Sequence, residues 1–428
     1  MRLFLTILRH LFYFLYPKSF LTCAKNTAIG FRAFPFLEIP IISYKKCTYS
    51  HPSGQMLFCP VPLSLPPFFF VPLCLSGYII LMDKDLKNKT LAELKTIVAG
   101  FGSKEYVAKY IFSFLHQHNI NDISQMTTLS KELRQKLTDD GFFISQLKIL
   151  EKFSDPDGTV KYLFETCDGQ NIESVLLDES GRKTICLSTQ IGCRLGCRFC
   201  ATGYLKFARN LTAGEIAEQV IKISADSGCK INNIVFMGMG EPLDNYENTI
   251  KTVRILADPA GKNIGIRRQT ISTVGLPDGI KKLADEEIYP RLAVSLHASD
   301  DDLRKQLVPA ANKYPLPELL KAMKLYQKKT DRRITIEYCM MEDINDHPDF
   351  ALGLMHLLRG LHVSVNLIEY NPHPGCDFKP SPQDRIKTFK DILMQAGIET
   401  IIRFRRGRSI KAACGQLGAD RIPDKSNS

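Results

Sequence analysis

Three cysteines fall within eight residues in Cys193-Arg194-Leu195-Gly196-Cys197-Arg198-Phe199-Cys200, spaced four and then three apart with an aromatic residue before the last. A loop with this spacing can wrap its thiolates around one side of a small metal cluster. Thiolates are the usual ligands of iron–sulfur clusters, and a cubane cluster has four irons to ligate. Three cysteines leave one iron open, much as a catalytic zinc site keeps one position free for the reacting molecule. A zinc knuckle short of a ligand, or three structural thiols, are the plainer readings. Known zinc spacings pair Cys-x2-Cys with a second ligand pair. No Cys or His lies within the twenty-five residues after Cys200, so the spacing favours a cluster.

The loop needs a scaffold, and the surrounding sequence supplies one. From about Val160 onward, short β-branched runs alternate with amphipathic stretches. Strands are expected at 172–177, 184–188, 233–237, 269–273, 292–296, 334–338, 363–368 and 400–404, with helices between the later ones. One such helix, 212–226, opens with a capping box at Thr212 and Glu215. Strand and helix in turn imply a parallel sheet with crossover helices. About six repeats predict an α/β fold in the form of a partial (β/α)6 barrel. Chemistry in such folds gathers in the loops past the strands' C-terminal ends. The cysteine loop sits in that position after the first parallel strand, and other polar residues fall at comparable places. Gly238-Met239-Gly240-Glu241-Pro242-Leu243 follows the second; its glycines would let backbone approach a ligand closely, and Glu241 adds an acceptor. Ser272 ends the third, Ser295-Leu296-His297 ends the fourth, and Asn371 lies just past the sixth.

Ahead of this core, residues 90 to about 150 read as helical. Thr90 and Glu93 form a capping box, and Leu129, Leu133 and Leu137 make one buried stripe. His116 and His118 are expected to be solvated or half-buried, without a role. The predicted organisation is a small helical accessory domain at 82–158, the barrel at 159–405, and a C-terminal segment at 406–428.

Residues 1–81 differ in kind. They hold nine of the 23 prolines and 11 of the 25 phenylalanines, and show no helical or strand period. Residues 57–81 are apolar enough for a membrane span, but Pro60, Pro62, Pro66, Pro67 and Pro72 would break its helix. A signal-peptide core at 3–16 would be interrupted by Arg9 and His10, and an organelle transit peptide would suit the basic, acid-poor composition. The favoured reading is that 1–81 is a disordered leader or non-native extension and that the working chain starts at Met82. The net charge of +11 is inflated by this stretch, which holds seven Lys or Arg against one Glu. The remainder carries 49 basic and 44 acidic side chains, a mild lean toward polyanions. Free thiols and a low-potential cluster suit a reducing compartment, so a cytoplasmic enzyme without a membrane partner is expected.

The pattern Cys-x3-Cys-x-aromatic-Cys resembles the signature of radical S-adenosylmethionine (SAM) enzymes. Gly-Met-Gly-Glu-Pro-Leu, Ser-Thr-Val-Gly, Ser-Leu-His-Ala, Tyr-Asn-Pro and the Ala-Ala-Cys-Gly-Gln-Leu at 412–417 together resemble the RlmN/Cfr family, from about residue 86 to 419 and in the same order. That resemblance implies a 4Fe–4S cluster on Cys193, Cys197 and Cys200, and a SAM site lined by Gly240, Glu241, Ser272, Ser295, Leu296, His297 and Asn371. It implies methylation of adenosine at C2 in 23S rRNA and tRNA, using two SAM per turnover and an external low-potential electron donor, by a chain expected to be a monomer. Cys414 matches the methyl-carrying cysteine, Cys186 the resolving cysteine that forms a transient disulfide with it, and Glu173 the proton acceptor. Read without the resemblance, Glu173 would be a solvent-facing charge on an edge strand. Cys414 follows Arg403, Arg405, Arg406, Arg408 and Lys411, charges that favour a thiolate and could bind phosphate. The remaining cysteines Cys167, Cys229, Cys339 and Cys376 are expected to be inert. A Cfr-like enzyme acting on C8 is the nearest rival, against which Pro242 after Glu241 counts. A non-catalytic cluster protein that binds RNA is the rival of another class.

Overall fold

The computed structural model describes residues 84–179, 181–403 and 405–422. The readings made for residues 1–81 and for a start at Met82 lie outside them. Helix α1 (Leu91–Gly100) starts at the expected box, with Thr90 N donating to Glu93 Oε2 at 2.7 Å and Glu93 N to Thr90 Oγ1 at 3.3 Å. Helix α2 (Tyr106–His116) follows, and α3 (Lys131–Asp139) is capped by Ser130, whose Oγ accepts from Leu133 N. Leu129, Leu133 and Leu137 are all buried, as their spacing requires. His116 departs from expectation. It is 1% exposed, its ring 4.4 Å from that of Phe112, because it ends the same helix face as Ala108, Phe112 and Leu115. His118, past the helix end, is exposed.

Strands β1 (Lys148–Ser154), β2 (Val160–Glu165) and β3 (Asn171–Glu179) form an antiparallel meander, and β4 (Arg182–Cys186) pairs antiparallel with β3. β1 falls where the sequence pattern reads as the end of a helical region. It is an edge strand with almost every residue exposed, so no alternation marks it, and Ile149, Leu150 and Phe153 suit a helix as well.

After β4 come the short pair β5 (Gln190–Ile191) and β6 (Arg209–Asn210), and then the alternation sets in. Helix α4 (Ala213–Ser227) leads to β7 (Asn233–Phe236), α5 (Tyr246–Ala257) to β8 (Gln269–Thr273), and α6 (Pro277–Asp285) to β9 (Arg291–Ser295). Helices α7 (Asp301–Leu307) and α8 (Leu316–Thr330) lead to β10 (Ile334–Met340), α9 (Pro348–Leu357) to β11 (Val363–Glu369), and α10 (Gln383–Gln395) to β12 (Glu399–Arg403). Strands β4, β7, β8, β9, β10, β11 and β12 are parallel neighbours in that order. Each crossover moves one strand along, so the sheet winds in a single direction and curls. No pairing among the described residues joins β1 to β12, which makes a partial barrel. Ile234, Ile271, Leu292, Ile334, Ile336 and Leu367 are fully buried in these strands. Each contributes roughly 1.5–3 kcal/mol of hydrophobic stabilisation.

The helical front is fastened to α4. Lys87 Nζ lies 2.5 Å from Glu218 Oε2 with both side chains buried, and Gly214 N donates to Asn88 Oδ1 at 2.7 Å. No helix among the described residues is long and apolar enough to cross a membrane.

Candidate active site

The cysteine loop leaves the barrel after β4 and is pinned at both ends, near its start by Arg194 Nε, 3.0 Å from Asp244 Oδ2. Arg198 N donates to Leu307 O at 3.0 Å, and Phe199 packs edge-on against His297 with ring centroids 4.4 Å apart. The aromatic of the motif thus ties the loop to the end of β9. Cys193, Cys197 and Cys200 line one small cavity at the strands' C-terminal ends. Three thiols converging on one cavity wall are the donor set that an iron–sulfur cluster takes. Elsewhere among the described residues, Cys167, Asp168 and Glu215 bring their ligand atoms within 4.8 Å of one another. Burial raises all three thiols, Cys193 to about 12, and the charge of Cys200 adds to the rise at the other two. A bound cationic metal reverses both effects and deprotonates its ligands. The Cys167 group is already neutralised, because Arg209 bridges Asp168 and Glu215 at 2.8 and 2.7 Å.

Gly240, Glu241, Ser272, Ser295 and His297 line the same cavity as the three cysteines. Leu296 does not; its side chain is fully buried, and its N–H donates to Glu337 O. Asn371 lines the adjoining, larger cavity, where its Nδ2 donates to Cys414 O at 3.1 Å. The glycines line this cavity and are also needed for close packing behind it. A Cβ on Gly238 would come within 2.6 Å of the Leu187 backbone, and one on Gly240 (φ +97°) within 2.5 Å of Gln190 Cβ. The close approach they permit is to the segment leading into the cysteine loop. Glu241 spends its carboxylate on the backbone, Oε1 accepting from Leu243 N and Oε2 from Val274 N, both at 3.0 Å. Burial pushes it up to about 7 in spite of those bonds. His297 has φ +62°; its Nδ1 accepts from Cys339 N at 3.0 Å, and burial lowers it to about 3, so the ring is neutral.

Cys186, at the end of β4, and Cys414 line the larger cavity of about 450 Å³ together. Cys414 also lines the smaller one, so it stands where the two meet. Its segment is held by long-range bonds. Ala201 N donates to Gly415 O at 2.7 Å, Thr202 Oγ1 to Leu417 O at 2.8 Å, and Gln416 Nε2 to Pro372 O at 2.8 Å. Cys414 is exposed at the cavity mouth, yet crowded enough that desolvation raises its thiol, while Arg403 pulls it down. Cys186 is buried and pushed up to about 12, chiefly by desolvation and then by the charge of Cys414. All nine described cysteines are free thiols, so the expected Cys186–Cys414 disulfide is not present in the structure.

Glu173 corrects its plain reading as an exposed charge on an edge strand. It is 3% exposed, on β3 between β2 and β4. Its Oε2 accepts from Gly418 N at 3.1 Å and lies 4.0 Å from Lys161 Nζ. It lines neither cavity and underpins the segment that carries Cys414.

Glu337 on β10 was missed by sequence reasoning; it lines the smaller cavity together with Cys339, which is buried. A parallel strand covered on both faces is expected to be apolar throughout, so a carboxylate inside the run Ile-Thr-Ile-Glu-Tyr was the available signal.

Residues 187–351 match the family model described as the Radical SAM superfamily, and residues 84–141 match the ribosomal RNA large subunit methyltransferase N-terminal domain. A Thermotoga neapolitana protein named probable dual-specificity RNA methyltransferase RlmN is 49% identical over 335 residues, 78% of this chain and 97% of its own length. A Thermus thermophilus protein of the same name is 44% identical over 315 residues, 73% of this chain and 88% of its own. The crystal structure of a radical SAM methyltransferase from Sphaerobacter thermophilus superposes with a TM-score of 0.74 at 44% identity, covering 78% of this chain and 99% of that one.

Proposed function

The chain belongs to the RlmN family of radical SAM RNA methyltransferases, and from that premise we propose that it methylates C2 of adenosine in 23S rRNA and in tRNA. The observation that carries the reading is the position of Cys414. It shares the larger cavity with Cys186 and the smaller one with the three cluster cysteines. One thiol can therefore face a metal-bound cofactor on one side and a substrate base on the other.

Cys193, Cys197 and Cys200 would hold a 4Fe–4S cluster, and Gly240, Glu241, Ser272, Ser295 and His297 would surround SAM, with Leu296 behind the wall and Asn371 at the Cys414 side. When bound, these groups supply an electrophilic methyl and hydrogen-atom abstraction, one SAM for each. Cys414 takes the methyl by displacement, as its thiolate, which the Arg403 guanidinium favours. C2 of adenine is electron-poor, so the carbon must reach it as a radical on the S-methyl of Cys414; once the C2 proton and the unpaired electron have left, the electron to the external redox partner, base and sulfur are joined through one carbon. The Cys186 thiolate then attacks Cys414 Sγ. A sulfur–sulfur bond forms, the sulfur–carbon bond breaks with its electron pair left on carbon, and protonation there completes the methyl group. The external donor afterwards reduces the disulfide. Glu173 is assigned the C2 proton. Its bond to Gly418 N makes that role depend on the 414–418 segment moving aside. Arg408, exposed beyond β12, offers charge to the RNA backbone, which helps offset the cost of extruding a stacked base, whereas Arg405 is paired with Glu369 and Arg406 donates to Asp178 O.

Nucleoside analysis of rRNA and tRNA incubated with the reconstituted protein, SAM and a reductant tests this. It should yield 2-methyladenosine; 8-methyladenosine would establish the Cfr-like reaction, and neither product would leave only RNA binding. Cys186→Ala should still form the joined species and fail to release it, so mass spectrometry should find RNA fragments on the protein. An RNA-free, fully active Cys186→Ala protein would refute the resolving role.

A further inference from the structure

The smaller cavity contains a carboxylate with no part in the chemistry above. Glu337 is 3% exposed, and in the parallel register it stands between Ser295 of β9 and Asn366 of β11. Ser272 Oγ of β8 lies 3.4 Å from Ser295 Oγ. A polar row, Ser272, Ser295, Glu337 and Asn366, therefore crosses four adjacent strands on the inner face of the sheet. Asn366 Nδ2 donates to Glu337 Oε1 at 2.9 Å, but Oε2 is buried and meets no donor. Leaving a buried carboxylate oxygen without a partner is costly, and proteins rarely tolerate it without a reason. Burial raises Glu337 and the charge of Arg403 works against that rise, so the carboxylate is partly compensated without a ligand cation. What it lacks is hydrogen-bond donors.

Its position narrows which donors. Glu337 is close enough to Cys414 for its charge to raise that thiol. The carbon of SAM that must act on the Cys414 methyl is the 5′ carbon, and the ribose hydroxyls are only a few bonds from it. A carboxylate accepts only, and a vicinal diol presents two O–H donors. We infer that Glu337 receives the 2′- and 3′-hydroxyls of the SAM ribose and so fixes the nucleoside at the correct distance from Cys414. Ser272 and Ser295 extend the same polar row. This rests on the SAM-dependent reading above. Glu337 is on that account a positioning residue.

The test uses the full chain with its cluster reconstituted anaerobically. Equilibrium dialysis compares SAM with its 2′-deoxy and 3′-deoxy analogues, for the native protein and for Glu337→Gln. The native protein should bind each deoxy analogue about ten-fold or more weakly, the range for a hydrogen bond to a charged group. Glu337→Gln should bind SAM about ten-fold more weakly and lose most of that discrimination, with iron content unchanged. Equal discrimination by the variant, or none by the native protein, overturns the inference. If Glu337→Gln fails to hold iron, Glu337→Asp, which keeps the charge, serves instead. It should retain iron and lose part of the preference, and an unaltered preference overturns the inference. RNA methylation is scored separately. Ribose discrimination without methylated RNA would sink the proposed function alone, and methylation by a protein blind to the hydroxyls would sink this inference alone.

Discussion

The two segments that bring thiols to the barrel mouth are built in opposite ways. The loop from Cys193 to Cys200 is local, with three sulfurs in eight residues and a turn closed by Cys200 N donating to Cys197 O. The segment around Cys414 has only short turns of its own, such as the one closed by Gln416 N donating to Ala413 O, and depends on distant partners for its place. Ala201, Thr202, Pro372, Asn371 and Glu173, from widely separated parts of the chain, each supply it with one bond. The first arrangement suits a metal-binding unit that stays in place. The second suits a carrier held by several weak ties, each worth about 1 kcal/mol, that can be released a few at a time.

The largest effect that would break this comparison is on iron. Cys197→Ala should lose nearly all bound iron, whereas Cys414→Ala should keep the native amount, although neither makes methylated RNA. Iron loss from Cys414→Ala would mean the segments are one unit. Next is the reactivity of Cys414. Arg403→Met removes the charge that pulls the thiol's pKa down, so burial acts unopposed and the pKa rises further. Alkylation of Cys414 by iodoacetamide at pH 8 should slow about ten-fold for each unit of that rise, with its profile moved to higher pH. Smaller again is the effect of cutting one tie. Thr202→Val or Glu173→Gln should speed the same alkylation about five-fold, as one hydrogen bond's worth of opening. A rate unaffected by both would show that the segment is rigid.

The smallest effect on the thiols is expected from a change far from both segments, which serves as their control. Burial lowers His116 to about 3, against 6.5 in an unfolded chain. The unfolded state therefore takes up the proton first, and stability is fully present above pH 6.5 and falls as pH drops toward 3. Between pH 7.5 and 5 the loss should be up to about 2 kcal/mol, and His116→Leu should flatten it. Denaturant titrations at the two pH values measure this, and Cys414 alkylation by the variant at fixed pH should match the native protein.

The same contrast explains what the sequence could and could not reveal. The cysteine loop, the capping boxes at Thr90 and Thr212 and the stripe from Leu129 to Leu137 are set by spacing along the chain, so they were legible. Strand ends were legible because one sheet face lines up Ser272, Ser295 and His297 at a common level. Glu337 was not, since its meaning depends on which face of β10 turns inward. The glycine pair was legible as part of the site, but its packing against Leu187 and Gln190 was not, because those residues are distant in sequence. Glu173 became intelligible only once Gly418 was placed beside it.

The seam left in the barrel has a consequence of its own. The larger cavity is walled on one side by Val175 and Leu177 of β3 and on the other by Ile401 and Arg403 of β12. A sealed cylinder could be entered only through its mouth, by something small or by a free end. A slot down the flank lets a polymer lie across the outside and poke a single unit inward, with the flanking units never having to thread through.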